Sequence, residues 1–198
     1  MPVAVDCLIE SGNKRTFACA SRWPGWCRAG RTEDAALEAL LAYGVRYAEV
    51  LRGSGPRFAP PTRVEALRVI ERAPGNATTD FGAPDGVFEI DASPVAARSW
   101  ARDRSVLEAC WRSFDAAVSE ARGREIRRGP RGGGRLLDAI VGHVVGAEAS
   151  YLRAVTGAAP PVDEGDPWSA RRVERTAVLD GSTVRRRVTC NGLAREVA

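Results

Sequence analysis

Residues 17–51 read FACASRWPGWCRAGRTEDAALEALLAYGVRYAEVL, and the change of period inside this stretch decides the fold. Phe17 to Ser21 ends a run of alternating character, 14–21, that reads as a strand. Trp23-Pro24-Gly25 breaks it, and residues 26–30 form a short further strand. Thr32 is a good N-cap, and Glu33 and Asp34 place negative charge where a helix N-terminus favours it. Leu37, Leu40, Leu41, Val45, Ala48 and Leu51 then recur at helical spacing. The spacing predicts a helix over about 33–52, stopped by Gly53-Ser54-Gly55-Pro56.

Upstream, Val3, Val5, Cys7 and Ile9 alternate with smaller or polar neighbours, so residues 2–10 read as a strand. Ser11-Gly12-Asn13 is a turn signal that joins it to 14–21 as a hairpin. Downstream, residues 64–72 are an apolar-rich run and a candidate fourth strand. Residues 1–72 therefore read as one small α/β domain. The pattern Pro24-Gly25, Gly30, Thr32, Glu33, Asp34, Ala35 resembles the HicB-like antitoxin domain over this span. That resemblance implies a sheet-plus-helix module used for protein binding or oligomerisation. Trp23 and Trp26 flank the turn, either packed on the sheet or presented as a partner-binding patch.

Residues 73–94 hold Pro74-Gly75-Asn76, Gly82, Pro84-Asp85-Gly86 and Pro94, and are expected to be a linker. A helix is expected over 95–121, with the stripe Leu107, Cys110, Trp111, Phe114, Val118, Ala121. A polar loop follows at 122–135, then a helix at about 135–156 and a short helix within 167–180. The tail 181–198 lacks a sustained period and is expected to be weakly ordered. The fold class expected is α+β.

The helix with Leu107, Trp111 and Phe114, followed by LLDAIVGHVVGAEASYLRAV (136–155), resembles the first part of a DinB-like up-down helical bundle over 95–180. The resemblance implies a divalent-metal site, zinc or nickel, in which His143 would join two histidines from later in the bundle. His143 is the one histidine of this chain, so the site is incomplete. Glu148 or a partner chain would have to complete it. The face Leu136, Ile140, His143, Ala147 is expected to point inward. The bundle pattern ends near residue 175, which implies a truncated or frame-shifted end, or completion by a homodimer.

A second candidate site is ARGREIRRGPRGGGR, residues 121–135. Arg127, Arg128, Arg131 and Arg135 surround Gly132, Gly133 and Gly134 just before a helix. Backbone N–H groups at a helix start attract anions, and arginine adds bidentate hydrogen bonds. The Lys-Ser/Thr pair of a Walker A loop is absent.

Composition sets the outer bounds. Lys and Arg total 29 against 25 Asp and Glu, a net charge of +4, with Lys14 the one lysine. Such a balance permits nucleic-acid binding without requiring it. Five cysteines at 7, 19, 27, 110 and 190 form no CxxC pair, and Cys7 and Cys19 are expected as reduced core residues. The start lacks a basic leader region and no stretch approaches a membrane span, so a cytoplasmic location without membrane contact is expected. No nucleophile–base pair emerges, and Asp80, Asp85, Glu89 and Asp91 show no catalytic spacing. The reading is a non-catalytic binding or interaction protein with a degenerate metal site. The alternatives are a DinB-like metal-dependent thiol transferase or hydrolase completed by dimerisation, and a nucleic-acid-binding protein using the arginine-glycine loop.

Overall fold

Period-two alternation pairs the first two strands as expected. β1 (Val5–Ser11) and β2 (Thr16–Ala20) are antiparallel, with Cys7 opposite Ala20 and Ile9 opposite Ala18 on one face. Leu8 opposite Cys19 and Glu10 opposite Phe17 occupy the other. β3 (Cys27–Gly30) continues the meander antiparallel to β2. A return strand parallel to β1 needs a crossover. Helix α1 (Glu33–Leu51) supplies it, and β4 (Leu67–Pro74) completes the order β3-β2-β1-β4. The computed structural model describes residues 4–93, 96–126, 136–156, 187–188 and 194–195. Together, the mixed sheet and the helices give an α+β fold.

The chain divides into two compact units, Met1–Cys110 with Val188–Gly192, and Trp111–Arg187 with Leu193–Ala198. In the first, α1 lies on the Cys7/Ile9/Ala18/Ala20 face and buries Ala36, Leu37, Leu40, Tyr47 and Leu51 against it. The Thr32 hydroxyl accepts the Ala35 N–H at 3.2 Å, so the predicted cap is made. Gly30 is required beside that cap, because a Cβ there would collide with Ala35 and the Ala36 backbone. Trp26 is fully buried, and its indole N–H donates to the Leu40 carbonyl at 2.9 Å. Trp23, Trp26, Tyr47 and Phe58 form one cluster of edge-on and stacked rings, with centroids 4.8 to 6.3 Å apart. The tryptophans beside the turn are thus packed residues, Trp26 wholly and Trp23 in part.

Of the linker expected over 73–94, the described residues 73–93 are folded structure. β4 continues through Pro74, α2 (Ala77–Phe81) follows, and a 3₁₀ turn spans Glu89–Ala92. A bulge at Ile70 is the physical cause. Up to Val69 the strand runs in step with Cys7, and then Glu71 rather than Ile70 falls opposite Leu8. The extra residue turns Arg72 toward α1, where it forks onto the Glu33 carboxylate at 2.7 and 2.9 Å. Glu71 falls on the opposite face and accepts the Glu89 N–H at 2.6 Å. That face carries the buried Leu8, Glu10 and Phe17, and the segment after β4 is tied to it through Glu10.

Cys19 is not a reduced core thiol. It is disulfide-bonded to Cys27, because the β2–β3 register sets the two directly opposite, with Cα atoms 4.0 Å apart. Cys7 is free and buried, as expected. Closing a loop of sequence separation 8 restricts the unfolded chain by about 2–3 kcal/mol. Reduction and alkylation should lower the unfolding free energy measured in urea by about that amount, with a matching fall in the midpoint.

Burial also raises the Cys7 thiol from 9.0 to about 12 and pushes the Tyr47 hydroxyl upward. Both folded-state values lie above the unfolded ones, so the unfolded chain releases protons first as pH rises. The contribution is complete below about pH 8.5 and is lost above it. Urea midpoints should therefore fall between pH 9 and 11, and Cys7→Ala should flatten the lower part of that decline.

Helix α3 (Ala97–Ala121) begins in the first unit, where Val106 and Ala109 are buried and Cys110 packs beside them. Leu107, which the sequence placed on the buried stripe, is half-buried. In the second unit Phe114 and Val118 pack with Leu137, Val141 and Val145 of α4 (Leu137–Thr156). The Trp111 indole N–H donates to Glu148 at 2.8 Å. Of the tail, Arg187–Val188 and Ala194–Arg195 are two-residue strands, β5 and β6. The remainder of 181–198 and the helix expected within 167–180 lie outside the described residues. Among the described residues no helix is long and apolar enough to cross a membrane.

Candidate anion-binding cleft

At the end of the sheet where β1 meets β2 and β3 meets α1, backbone pairing gathers residues distant in sequence. Thr16 pairs with Gly30, so Lys14 and Arg15 at the hairpin end lie beside Arg31. The third wall comes from α2. Asn76 caps that helix by accepting the Thr78 N–H at 2.7 Å, and the Thr79 hydroxyl accepts the Asn76 N–H at 2.8 Å. This capping box turns Asp80 toward the hairpin, where its Oδ1 accepts the Lys14 N–H at 2.7 Å. A Cβ at Gly12 would meet that carboxylate, so a side chain there would displace it from the Lys14 N–H. The Gly75 N–H donates to the Ser11 carbonyl at 2.7 Å and closes the junction.

The resulting cleft is about 410 Å³ and is lined by Lys14, Arg15, Ala29, Gly30, Arg31 and Asp80. That size lies within the roughly 300–1,000 Å³ of small-ligand sites. Three cations and one carboxylate are among its lining residues. None of the three cations is in an ion pair among the described residues. Three cations against one carboxylate leave the lining electropositive. Such an arrangement can hold an anion by charge and by guanidinium hydrogen bonds.

The cleft is positioned by Glu10, which has 1% exposure. Its carboxyl group accepts from the Thr79 hydroxyl, from the Asp85 N–H at 2.9 Å and from the Gly86 N–H at 2.7 Å. A Cβ at Gly86 would stand 2.9 Å from Glu10 Oε2, so only glycine lets the backbone approach this closely. The Asp85 side chain accepts from Asn76 Nδ2 at 2.8 Å, and Asp91 accepts the Phe88 N–H at 3.3 Å. Asp80, Asp85 and Asp91 are thus structural ties, and Asp80 also lines the cleft.

The site residues expected from sequence fall elsewhere. His143 is on α4 but is exposed and does not point inward, and Leu136 is 81% exposed. The face that packs is Leu137, Val141, Val145, rotated by about one residue, and the Trp111–Glu148 hydrogen bond holds that rotation. Glu148, the alternative ligand, is committed to this bond through Oε1. Among the described residues no three His, Cys, Asp or Glu side chains group as metal ligands. Arg127, Arg128, Arg131, Gly132, Gly133, Gly134 and Arg135 lie outside the described residues. Lys14, Arg15, Arg31 and Asp80 were missed as a group. The available signal was the Lys-Arg pair at the end of a hairpin whose third strand ends in Gly30-Arg31. Comparison with protein-family models, with curated proteins and with solved structures gives no match for this chain.

Proposed function

We propose that this chain is a non-catalytic binding protein whose first unit takes an anionic ligand in the cleft between Lys14, Arg15 and Arg31. The observation that supports it is three cations, unpaired among the described residues, converging on one concave surface with a single engaged carboxylate. The carboxyl and amide groups around the cleft are occupied in holding its walls. Pyrophosphate is a suitable probe, because it presents the charge without other recognition features. Isothermal titration of the full chain should show saturable binding. Combining Lys14→Ala, Arg15→Ala and Arg31→Ala should weaken it at least tenfold, with the unfolding midpoint little changed. Equal binding by wild type and the triple variant would place the anion elsewhere and overturn the reading.

A further inference from the structure

Strands β2 and β3 carry two sides of the cleft. Their ladder runs from Thr16 opposite Gly30 to Cys19 opposite Cys27. Arg15 and Arg31 stand one step beyond the first pair, and the disulfide closes the last. β3 is four residues long and lies at the edge of the sheet, so among the described strands its backbone pairs with β2 alone. The cations on the two sides repel each other across that short pairing, as like charges on facing strand positions do. The disulfide fastens β3 against the repulsion. Cys19 is 5% exposed, but Cys27 on the edge strand is only half-buried, which gives a reductant access to the bridge from that side.

Resting on the anion-cleft reading, we infer that the Cys19–Cys27 bridge is a redox switch for the cleft. Oxidised, it holds Arg31 beside Lys14 and Arg15 in the geometry that binds an anion. Reduced, it lets the edge strand fray, and the cleft must be reassembled before the anion is held. A site already assembled binds more tightly than one that binding has to order. The bond breaks by exchange with a dithiol. One thiolate of the dithiol attacks Sγ of Cys27, and Cys19 leaves as a thiolate that takes up a proton. The second thiol of the dithiol then attacks the mixed disulfide, Cys27 leaves in the same way, and the dithiol departs as its own disulfide. Two electrons pass to the protein, and the anion is not consumed.

The test is isothermal titration of the full chain with pyrophosphate, once oxidised and once in dithiothreitol, which is uncharged at neutral pH and does not compete for the cations. Mass after alkylation should show two more thiols in the reduced form. Reduction should weaken binding about fivefold or more, with the helical circular dichroism retained. Cys19→Ala/Cys27→Ala should bind like the reduced chain whether or not dithiothreitol is present. Linkage supplies a second readout. Saturating pyrophosphate should make the bridge harder to reduce by the same factor, read as the ratio of reduced to oxidised dithiothreitol at half-reduction. The Lys14→Ala/Arg15→Ala/Arg31→Ala variant should lose that shift. The inference is overturned if both redox forms bind pyrophosphate equally, if pyrophosphate leaves the half-reduction ratio unchanged, or if lost binding merely follows lost helical signal. Equal binding would leave the anion-cleft reading standing, whereas no binding in either form would remove both.

Discussion

Trp26→Ala should cost about 3–5 kcal/mol, the largest loss expected of any single truncation in the first unit. The side chain is fully buried where the β2–β3 turn meets α1. It stacks on Tyr47 at 5.9 Å and meets Phe58 edge-on at 4.9 Å, while its N–H holds the Leu40 carbonyl. The hole left by alanine cannot close readily, because the disulfide at Cys27 and the Tyr47 hydroxyl, which donates to the Pro24 carbonyl at 2.9 Å, fix the turn around it. Typical domains are stable by roughly 5–15 kcal/mol, so much of the total is at stake. Urea denaturation followed by circular dichroism measures it. Trp23→Ala is the comparison, since Trp23 is half-buried on the rim of the same ring cluster and should cost clearly less. Equal costs at the two positions would contradict the packing described.

Glu10→Gln should destabilise by about 2–4 kcal/mol although it barely changes volume. Hydrogen bonds to a charged or strongly accepting group are worth roughly 1.5–3 kcal/mol each, and an unmatched buried donor adds its own penalty. Glu10 accepts from one hydroxyl and two backbone amides, so an amide NH₂ in place of either oxygen faces donors with a donor. The loss should be local before it is global. Amide hydrogen exchange at Asp85 and Gly86 should accelerate sharply in the variant, while exchange in α1 changes little. Thr79→Val, which removes one donor and half of the capping box, should follow the same pattern with about half the effect. Unchanged exchange at Asp85 and Gly86 would show that Glu10 does not anchor this segment. The same variants bear on the cleft, because Asp80 is placed by the helix that Thr79 and Asn76 cap.

Much of the architecture was legible because short-range chemistry specifies it. The hairpin, the third strand, the Thr32 cap and the crossover helix all follow from period, turn residues and caps, and the structure places them within a few residues of expectation. Residues 73–94 were not legible. Their many Gly and Pro residues look the same in a linker as in a segment folded back on a sheet, and only the buried Glu10 distinguishes the two cases. A lone glutamate in an apolar strand gives no hint of donors that lie 69 to 76 residues away. On α4, apolar residues occur around most of the helix, so periodicity allowed a face through His143, whereas packing against Phe114 and Val118 and the bond from Trp111 chose another.

Strand and helix periods are local properties of neighbouring residues, so they already specify a small sheet covered by a capped helix in the first half of this chain. Long-range packing is what brings Cys19 to Cys27, ties residues 79–86 to Glu10, and gathers Lys14, Arg15, Arg31 and Asp80 in one cleft. Those juxtapositions depend on strand register and on a one-residue bulge at Ile70, and a shift of one residue in either would turn the side chains concerned to opposite faces.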